Sequence, residues 1–208
     1  MRALNERKTK LVTRIAEDIP GFTLRAKEDH PLWDALAKIM FWNPGISTRF
    51  ITTLYPVVWV PSLPWQEDNP SSALEVLSHE YVHLRDRKKL GWLFNLLYLS
   101  PQIFCLFSLL AIINPWYSLC LLFLLPWPSP GRAWLEYRGY RMSMAVHYWI
   151  HGCCIDLDWL VGQFVGSNYY WMWPFRSFLI RRYEKEYEKI ANGDLTSDLK
   201  DVKSILEL

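Results

Sequence analysis

The segment Ser78-His79-Glu80-Tyr81-Val82-His83-Leu84 sets two imidazoles four residues apart, with a carboxylate beside the first. On a helix, positions i and i+4 point the same way. His79 and His83 can therefore each give a ring nitrogen to one Zn2+, and Glu80 can polarise the water that the ion holds. The implied chemistry is activation of a metal-bound water. Zinc with two histidines needs another protein ligand, usually His or a carboxylate, and leaves one position for water. No histidine follows closely, since His83 runs into Leu-Arg-Asp-Arg-Lys-Lys-Leu-Gly-Trp. The candidates further on are Glu136, and His147 with His151, which repeat the i, i+4 spacing. Asp86 is a weaker rival, because it sits on the same helix and aims elsewhere. His147 lies about 16 Å along a helix from Glu136, so both cannot bind one ion. Glu136 is preferred, and His147 and His151 are read as a polar helix face.

A helix must position the pair, and the sequence supports one. Asn69 is a good N-cap and Pro70 suits the first turn. Leu74, Leu77, Tyr81 and Leu84 fall within one arc of about 80° at helical spacing. His79 and His83 fall on the opposite side, so the apolar stripe is expected to pack while the His pair looks outward into a cleft.

The 208 residues are 51% hydrophobic and 16% aromatic, with 9 Gly and a net charge of +2. This excludes a disordered or collagen-like chain and gives no reason to expect a nucleic-acid footprint. Nor is there an internal repeat, a Gly-rich phosphate loop, or a Ser or Cys nucleophile motif. The mean hydropathy of −0.02 resembles that of a soluble protein, but the average misleads. From Leu90 to Gly131 there is no Asp, Glu, Lys or Arg. Trp92 to Ile113 is long enough to cross a bilayer core of roughly 30 Å as one helix. Asn114-Pro115 signals a turn, and Trp116 to Trp127 is short for a second span. A hairpin buried in a soluble core would keep a polar outer stripe, and neither half has one. Residues 91–130 are thus expected to form an inserted membrane hairpin within a single domain spanning 1–208, with 181–208 a charged C-terminal helix or tail.

A hairpin returns the chain to the side it left, which lets Glu136 approach His79 and His83. Arg85, Arg87, Lys88 and Lys89 precede it, and Arg132, Arg138 and Arg141 follow. The positive-inside rule then puts both flanks, and the catalytic side, in the cytoplasm. Residues 1–30 lack the apolar core of a secretory signal, and the four Cys suit no disulfide framework.

On these motifs the sequence resembles a gluzincin, the HExxH-plus-distant-Glu class of zinc metallopeptidases. It is similar to the integral-membrane members, such as the CAAX prenyl proteases and heat-shock-linked membrane proteases. There, HExxH is followed by basic residues, an apolar stretch, and a helix of the form Glu-x-x-Ala-Asp. His79 to His83 match fully, and Glu136-Tyr137-Arg138-Gly139-Tyr140 matches the glutamate and the small residue, with Tyr140 in place of the Asp. The Glu136 helix also looks like the Glu-x-Arg-Ala-Tyr pattern of small uncharacterised metallopeptidase-like proteins of bacteria and phages. The resemblance covers about residues 45 to 145, and nothing before residue 90 could span a membrane.

The resemblance implies Zn2+ on His79, His83 and Glu136, Glu80 as general base, and a peptide or protein as substrate. Tyr140, one turn beyond Glu136, is the preferred oxyanion donor, ahead of Arg138 and Tyr81. The expected fold is mainly α (α+β), a zincin-like helical body with a small β hairpin or edge strand. Helices are expected at about Asn5–Asp18 and Pro31–Met40, then a turn at Asn43-Pro44-Gly45. Strands are expected around Pro56 in Phe50–Val60, either pairing with substrate, as the edge strand of zincins does, or only covering the helix. The aromatic stretch after Ala145 suits either a headgroup layer or a core, and Arg181 to Ile190 reads as a solvated face. The competing function is a non-enzymatic membrane protein, with a structural zinc closed by His147, His151 or a Cys, or a scaffold module with no metal. Oligomeric state is not legible.

Overall fold

The computed structural model describes residues 2–28, 30–39, 51–64 and 69–207. The expected turn at Asn43-Pro44-Gly45, and the expected ends at Met40 and Phe50, lie outside them. The described chain is mainly helical, with one small mixed sheet.

Two long helices form the centre, α3 (Pro70–Leu90) and α5 (Pro130–His151). They run antiparallel, since Glu75 meets His147 at one end and His83 meets Glu136 at the other. Both bury residues on more than one face. The Leu74, Leu77, Tyr81 and Leu84 stripe packs as its spacing predicts. Pro70 opens α3, but the Asn69 side chain makes no capping bond and only its carbonyl accepts, from Ala73.

Helix α1 (Arg2–Asp18) covers α3, burying Leu11 and Ile15. Its last residue, Asp18, accepts hydrogen bonds from Tyr81 at 3.0 Å and Lys88 at 3.0 Å. The sheet has the order β1 (Thr23–Ala26), β3 (Val57–Val60), β2 (Thr52–Leu54). β1 runs parallel to β3 and β2 antiparallel to it, with Thr53 opposite Val58. The break at Pro56 thus yields a hairpin, and β2 is an edge of the sheet among the described residues. Helix α2 (Pro31–Ile39) follows β1.

The charge-free segment departs from the expected single span. Gly91, at φ 58°, ends α3 in a conformation costly for any residue with a side chain. Helix α4 (Trp92–Leu99) follows and stops at Ser100-Pro101. Proline has no N–H to continue a helix and disfavours helical backbone in the residue before it, so Ser100 is extended, at ψ 143°. The chain resumes as a 3-10 helix, Gln102–Ile112, bent by 88° from α4, and returns through Asn114 as a second one, Pro115–Leu124. No single helix among the described residues is long and apolar enough to cross a membrane. The two 3-10 segments pack on each other, with Phe104 edge-on to Phe123 at 5.6 Å.

The chain does return beside its point of departure. Arg132, on the first turn of α5, donates to the Tyr98 carbonyl at 2.6 Å, to Gln102 Oε1 at 3.2 Å and to the Tyr169 carbonyl at 3.3 Å. The Tyr98 carbonyl lies in the last turn of α4, where no helical N–H remains to satisfy it, and the guanidinium takes that place.

Helix α6 (Leu157–Val165) starts at an Asp156 side-chain cap. The charged C-terminal stretch forms α7 (Arg176–Ala191) and α8 (Ser197–Leu206). Arg181, Arg182, Glu184, Lys185, Glu188 and Lys189 present the expected solvated face, while the other face buries Leu179, Tyr183 and Ile190, and α8 buries Leu199, Val202 and Leu206, against α5, α6 and α1. The late aromatics split: Phe164 and Tyr183 are core, while Trp159, Trp171, Phe175 and Phe178 are exposed.

Arg132→Met would leave three buried or half-buried oxygens without a donor. The expected cost is about 2–4 kcal/mol in denaturant unfolding, with faster proteolysis of residues 92–128. Unchanged stability and cleavage would remove Arg132 from its role at the base of the hairpin.

Candidate metal centre

His79 and His83 face α5, not an open cleft. They are 6% and 5% exposed, because α5 and α4 close over the side that the apolar stripe leaves free. The opposing residue is Glu136, 1% exposed. Its Oε2 lies 3.3 Å from His79 Nε2 and 3.6 Å from His83 Nε2, and the two Nε2 atoms are 2.9 Å apart. Of the proposed third ligands, the structure brings Glu136 to the pair. His147 and His151 sit further along α5 against Glu75, and Asp86 is bound by Arg138 at 2.9 Å.

These three donors fit a bound cation. Zinc bonds to N and O of about 2.0–2.2 Å put neighbouring ligand atoms of a tetrahedron roughly 3.3 Å apart. The donor set, two imidazoles and a carboxylate, suits zinc better than the oxygen-seeking cations. Glu136 Oε2 is buried and receives no hydrogen bond, although it faces both imidazoles. A buried carboxylate oxygen without a donor is costly, and a cation at the meeting point of the three side chains would satisfy it. Burial alone would raise the Glu136 carboxyl, but the facing imidazoles of His83 and His79 hold it well below the usual carboxylate range. Burial would likewise lower His83, and the charge of Glu136 raises it instead. The site is electrostatically poised as an anion between two cation-accepting rings.

The surroundings fix two of the three ligands, while the buried Nδ1 of His83 has no hydrogen-bond partner. Tyr98, on α4, donates from its hydroxyl to Glu136 Oε1 at 2.7 Å. The other oxygen stays turned towards the histidines. Ser143 Oγ lies 3.3 Å from His79 Nδ1 and 3.4 Å from the Glu75 carbonyl. With Nδ1–H donating to Ser143, the His79 Nε2 lone pair is left for a metal. Gly139 is required here: a Cβ at that position would fall 2.6 Å from His79 Nε2. Its lack of a side chain is what lets α5 lie against the imidazole.

Glu80 points to the sheet. Its Oε2 accepts from Thr53 Oγ1 on β2 at 2.6 Å. The next residue, Thr52, accepts from Lys27 at 2.8 Å. Burial pushes the Lys27 ammonium down to about 8, against the pull of Glu80.

The expected oxyanion donors fare differently. Tyr140 touches the site through its ring, edge-on to His79 at 4.7 Å, and its hydroxyl donates to Tyr169 at 3.2 Å. Burial, and then the charge of Glu136, push that phenol well above its usual range, so it stays a protonated donor. Arg138 is committed to Asp86 and Asp198, and Tyr81 to Asp18. Tyr98, Thr53, Ser143, Tyr169 and Lys27 were not singled out from the sequence, where none lies within a recognisable motif. No protein-family model, curated protein or solved structure matches this chain, so the reading of the site rests on its own geometry.

Gly139→Ala should lose metal from this site and destabilise the fold by about 1–3 kcal/mol, although Ala is the better helix former. Tyr98→Phe should weaken metal binding about 10- to 100-fold while leaving the fold intact. Competition with a chelator of known affinity measures both. Wild-type affinity in each would show that α5 and α4 do not shape the site.

Proposed function

We propose that this chain is a zinc-dependent peptidase of gluzincin type, seated at a membrane surface with its site on the cytoplasmic side. The observation that carries the reading is the convergence of His79, His83 and Glu136, with Glu80 next to His79 in the chain and its charge felt at His83. Among the described residues these three are the protein ligands gathered there. That count matches a catalytic site, which keeps a position open, rather than a structural one, which is closed by four. His147, His151 and the cysteines, which a closed site would need, are elsewhere.

A Zn2+ held by these ligands would act as a Lewis acid on the scissile carbonyl and make water acidic enough to deprotonate near neutral pH. Glu80 takes the proton of the attacking water and then delivers it to the leaving amine. Thr53 holds Glu80 in place through its 2.6 Å bond and leaves the other carboxylate oxygen for this proton. Tyr98 and Ser143 keep Glu136 and His79 turned inward. Tyr140 buttresses His79 with its ring; as an oxyanion donor it would first have to release Tyr169. β2 offers an unpaired strand edge next to Glu80, suited to an extended peptide.

The membrane reading is supported by the hairpin Gln102–Leu124. None of its side chains is buried, and Ile112 and Trp116 at its tip are 96% and 77% exposed. An apolar surface of this extent needs a lipid or protein covering. At roughly 2.0 Å per residue, an 11-residue 3-10 segment reaches about 22 Å, short of a core of about 30 Å, so the hairpin would enter rather than cross. Exposed Trp92, Trp127, Trp134 and Trp171 suit the headgroup level.

The test compares wild type with Glu80→Gln, both purified in detergent, for retained zinc and for cleavage of an unfolded protein. Both should keep the metal, and the variant should lose at least about 100-fold in activity. Metal retained with no turnover by either would establish a structural site, and no metal in the wild type would end both zinc readings. Separately, the protein should float with liposomes, and Leu109→Asp with Ile112→Asp should abolish flotation. Unaltered flotation of that variant would overturn insertion by the hairpin.

A further inference from the structure

The α3–α5 pair carries a second set of metal donors. Along α3, Glu75, His79 and His83 fall every fourth residue; along α5, Ser143, His147 and His151 do the same. Because the helices run antiparallel, their roles are exchanged at the two levels. At one level α3 supplies the histidine pair and α5 the carboxylate, Glu136. At the other, α5 supplies the pair, His147 and His151, and α3 the carboxylate, Glu75.

Glu75 Oε1 lies 2.9 Å from His147 Nδ1 and 3.6 Å from His151 Nε2. The two rings are 4.6 Å apart between centroids, and one donor atom from each of the three residues falls within 4.8 Å of the others. The far nitrogen of His147, Nε2, faces Cys153 Sγ at 3.8 Å. An Nε2–H donated to that sulfur leaves the Nδ1 lone pair directed at Glu75. This is the ring orientation that a ligand imidazole needs from its outer partner.

We propose that Glu75, His147 and His151 form a second metal site, for a divalent first-row transition ion such as Zn2+ or Co2+, with water completing its shell. Two imidazoles and one carboxylate select this class and disfavour Ca2+ and Mg2+, which prefer oxygen ligands. Unlike the buried centre, this one opens to solvent: the side chains of Glu75, His147 and His151 are 17%, 22% and 40% exposed. It therefore loads and unloads from solution.

The site joins α3 to α5 beyond the buried centre, with Glu75 one turn from His79 along α3 and His147 about 16 Å from Glu136 along α5. Ser143 connects the two levels, lying between the carbonyl of Glu75 and Nδ1 of His79. An ion at the outer site clamps Glu75 to α5 and so holds Ser143 against His79. The outer metal is thus a staple that keeps the inner ligand oriented. It stands whether or not the buried centre is a peptidase, because it is read from the side chains at its own level.

Metal stoichiometry tests it directly. The full chain in detergent is stripped with chelator, dialysed against excess Zn2+, and the metal bound per chain is counted by mass spectrometry. Wild type should bind two ions. His151→Ala and Glu75→Gln should each bind one, with affinity for the outer ion reduced at least about tenfold, and His83→Ala should retain the outer ion. Circular dichroism should show unchanged helicity in the two outer variants, whose altered side chains are partly exposed. A single ion in the wild type would overturn the proposal, leaving Glu75 and His147 as a plain hydrogen-bonded pair. So would two ions that survive both His151→Ala and Glu75→Gln.

Discussion

A carboxylate 1% exposed has to be compensated in the fold, and for Glu136 the compensation comes from across the α3–α5 contact. His79 and His83 face one of its oxygens, and Tyr98 donates to the other. Taking the charge out of water would cost several kcal/mol if these partners were missing. The helices must therefore approach closely, and Gly139 permits it. They must also run antiparallel in a register that sets residue 136 beside residues 79 and 83. The turn of the charge-free segment provides this, by carrying the chain away from α3 and returning it as α5. Arg132 closes the loop at its base.

Seen from that contact, the apolar segment divides into two parts with different duties. α4 belongs to the body: Phe94 and Tyr98 stack on one another and lie edge-on to His83, so α4 is a wall of the site. No side chain of the 3-10 hairpin beyond Pro101 is fully buried, and at its base Gln102 and the Leu124 carbonyl bond to Arg132 and Tyr170. Tyr98 links the base of the hairpin to the site, since its carbonyl is held by Arg132 and its hydroxyl holds Glu136. On the opposite side the sheet performs the matching task, as Thr53 on an edge strand fixes Glu80. The centre is thus bracketed by an apolar helix that continues into the exposed hairpin and by the edge strand of the sheet.

The sequence revealed the parts of this arrangement that depend on local spacing. HExxH is legible because four residues slightly exceed one helical turn and so share a face, and α3 follows from its apolar period and Pro70. Glu136 was accessible by a topological step, since a hairpin must come back. Hydropathy suggested one continuous helix where there are two, because a window over Trp92 to Ile113 averages across Pro101, where one missing N–H breaks the helix. The periodicity of α3 also suggested an outward-facing His pair; it cannot show that a helix is covered on both sides. Tyr98, Thr53 and Ser143 are common residue types whose partners lie 38, 27 and 64 positions away, and no local pattern marks such contacts. The His147 and His151 repeat was visible, but its partner Glu75 acquires meaning only once α3 and α5 are aligned.

In the proposed centre, His79, His83 and Glu136 share one metal ion and leave one of its positions to water. X-ray absorption at the zinc edge, on the His151→Ala protein carrying one equivalent of Zn2+, addresses it most directly. The expected spectrum is that of a four-coordinate shell at about 2.0–2.1 Å made of two imidazoles and two oxygens, with no sulfur. Substituting Glu136 by Ala should abolish that shell. A shell containing sulfur at about 2.3 Å, or one with three or more imidazoles, would contradict it.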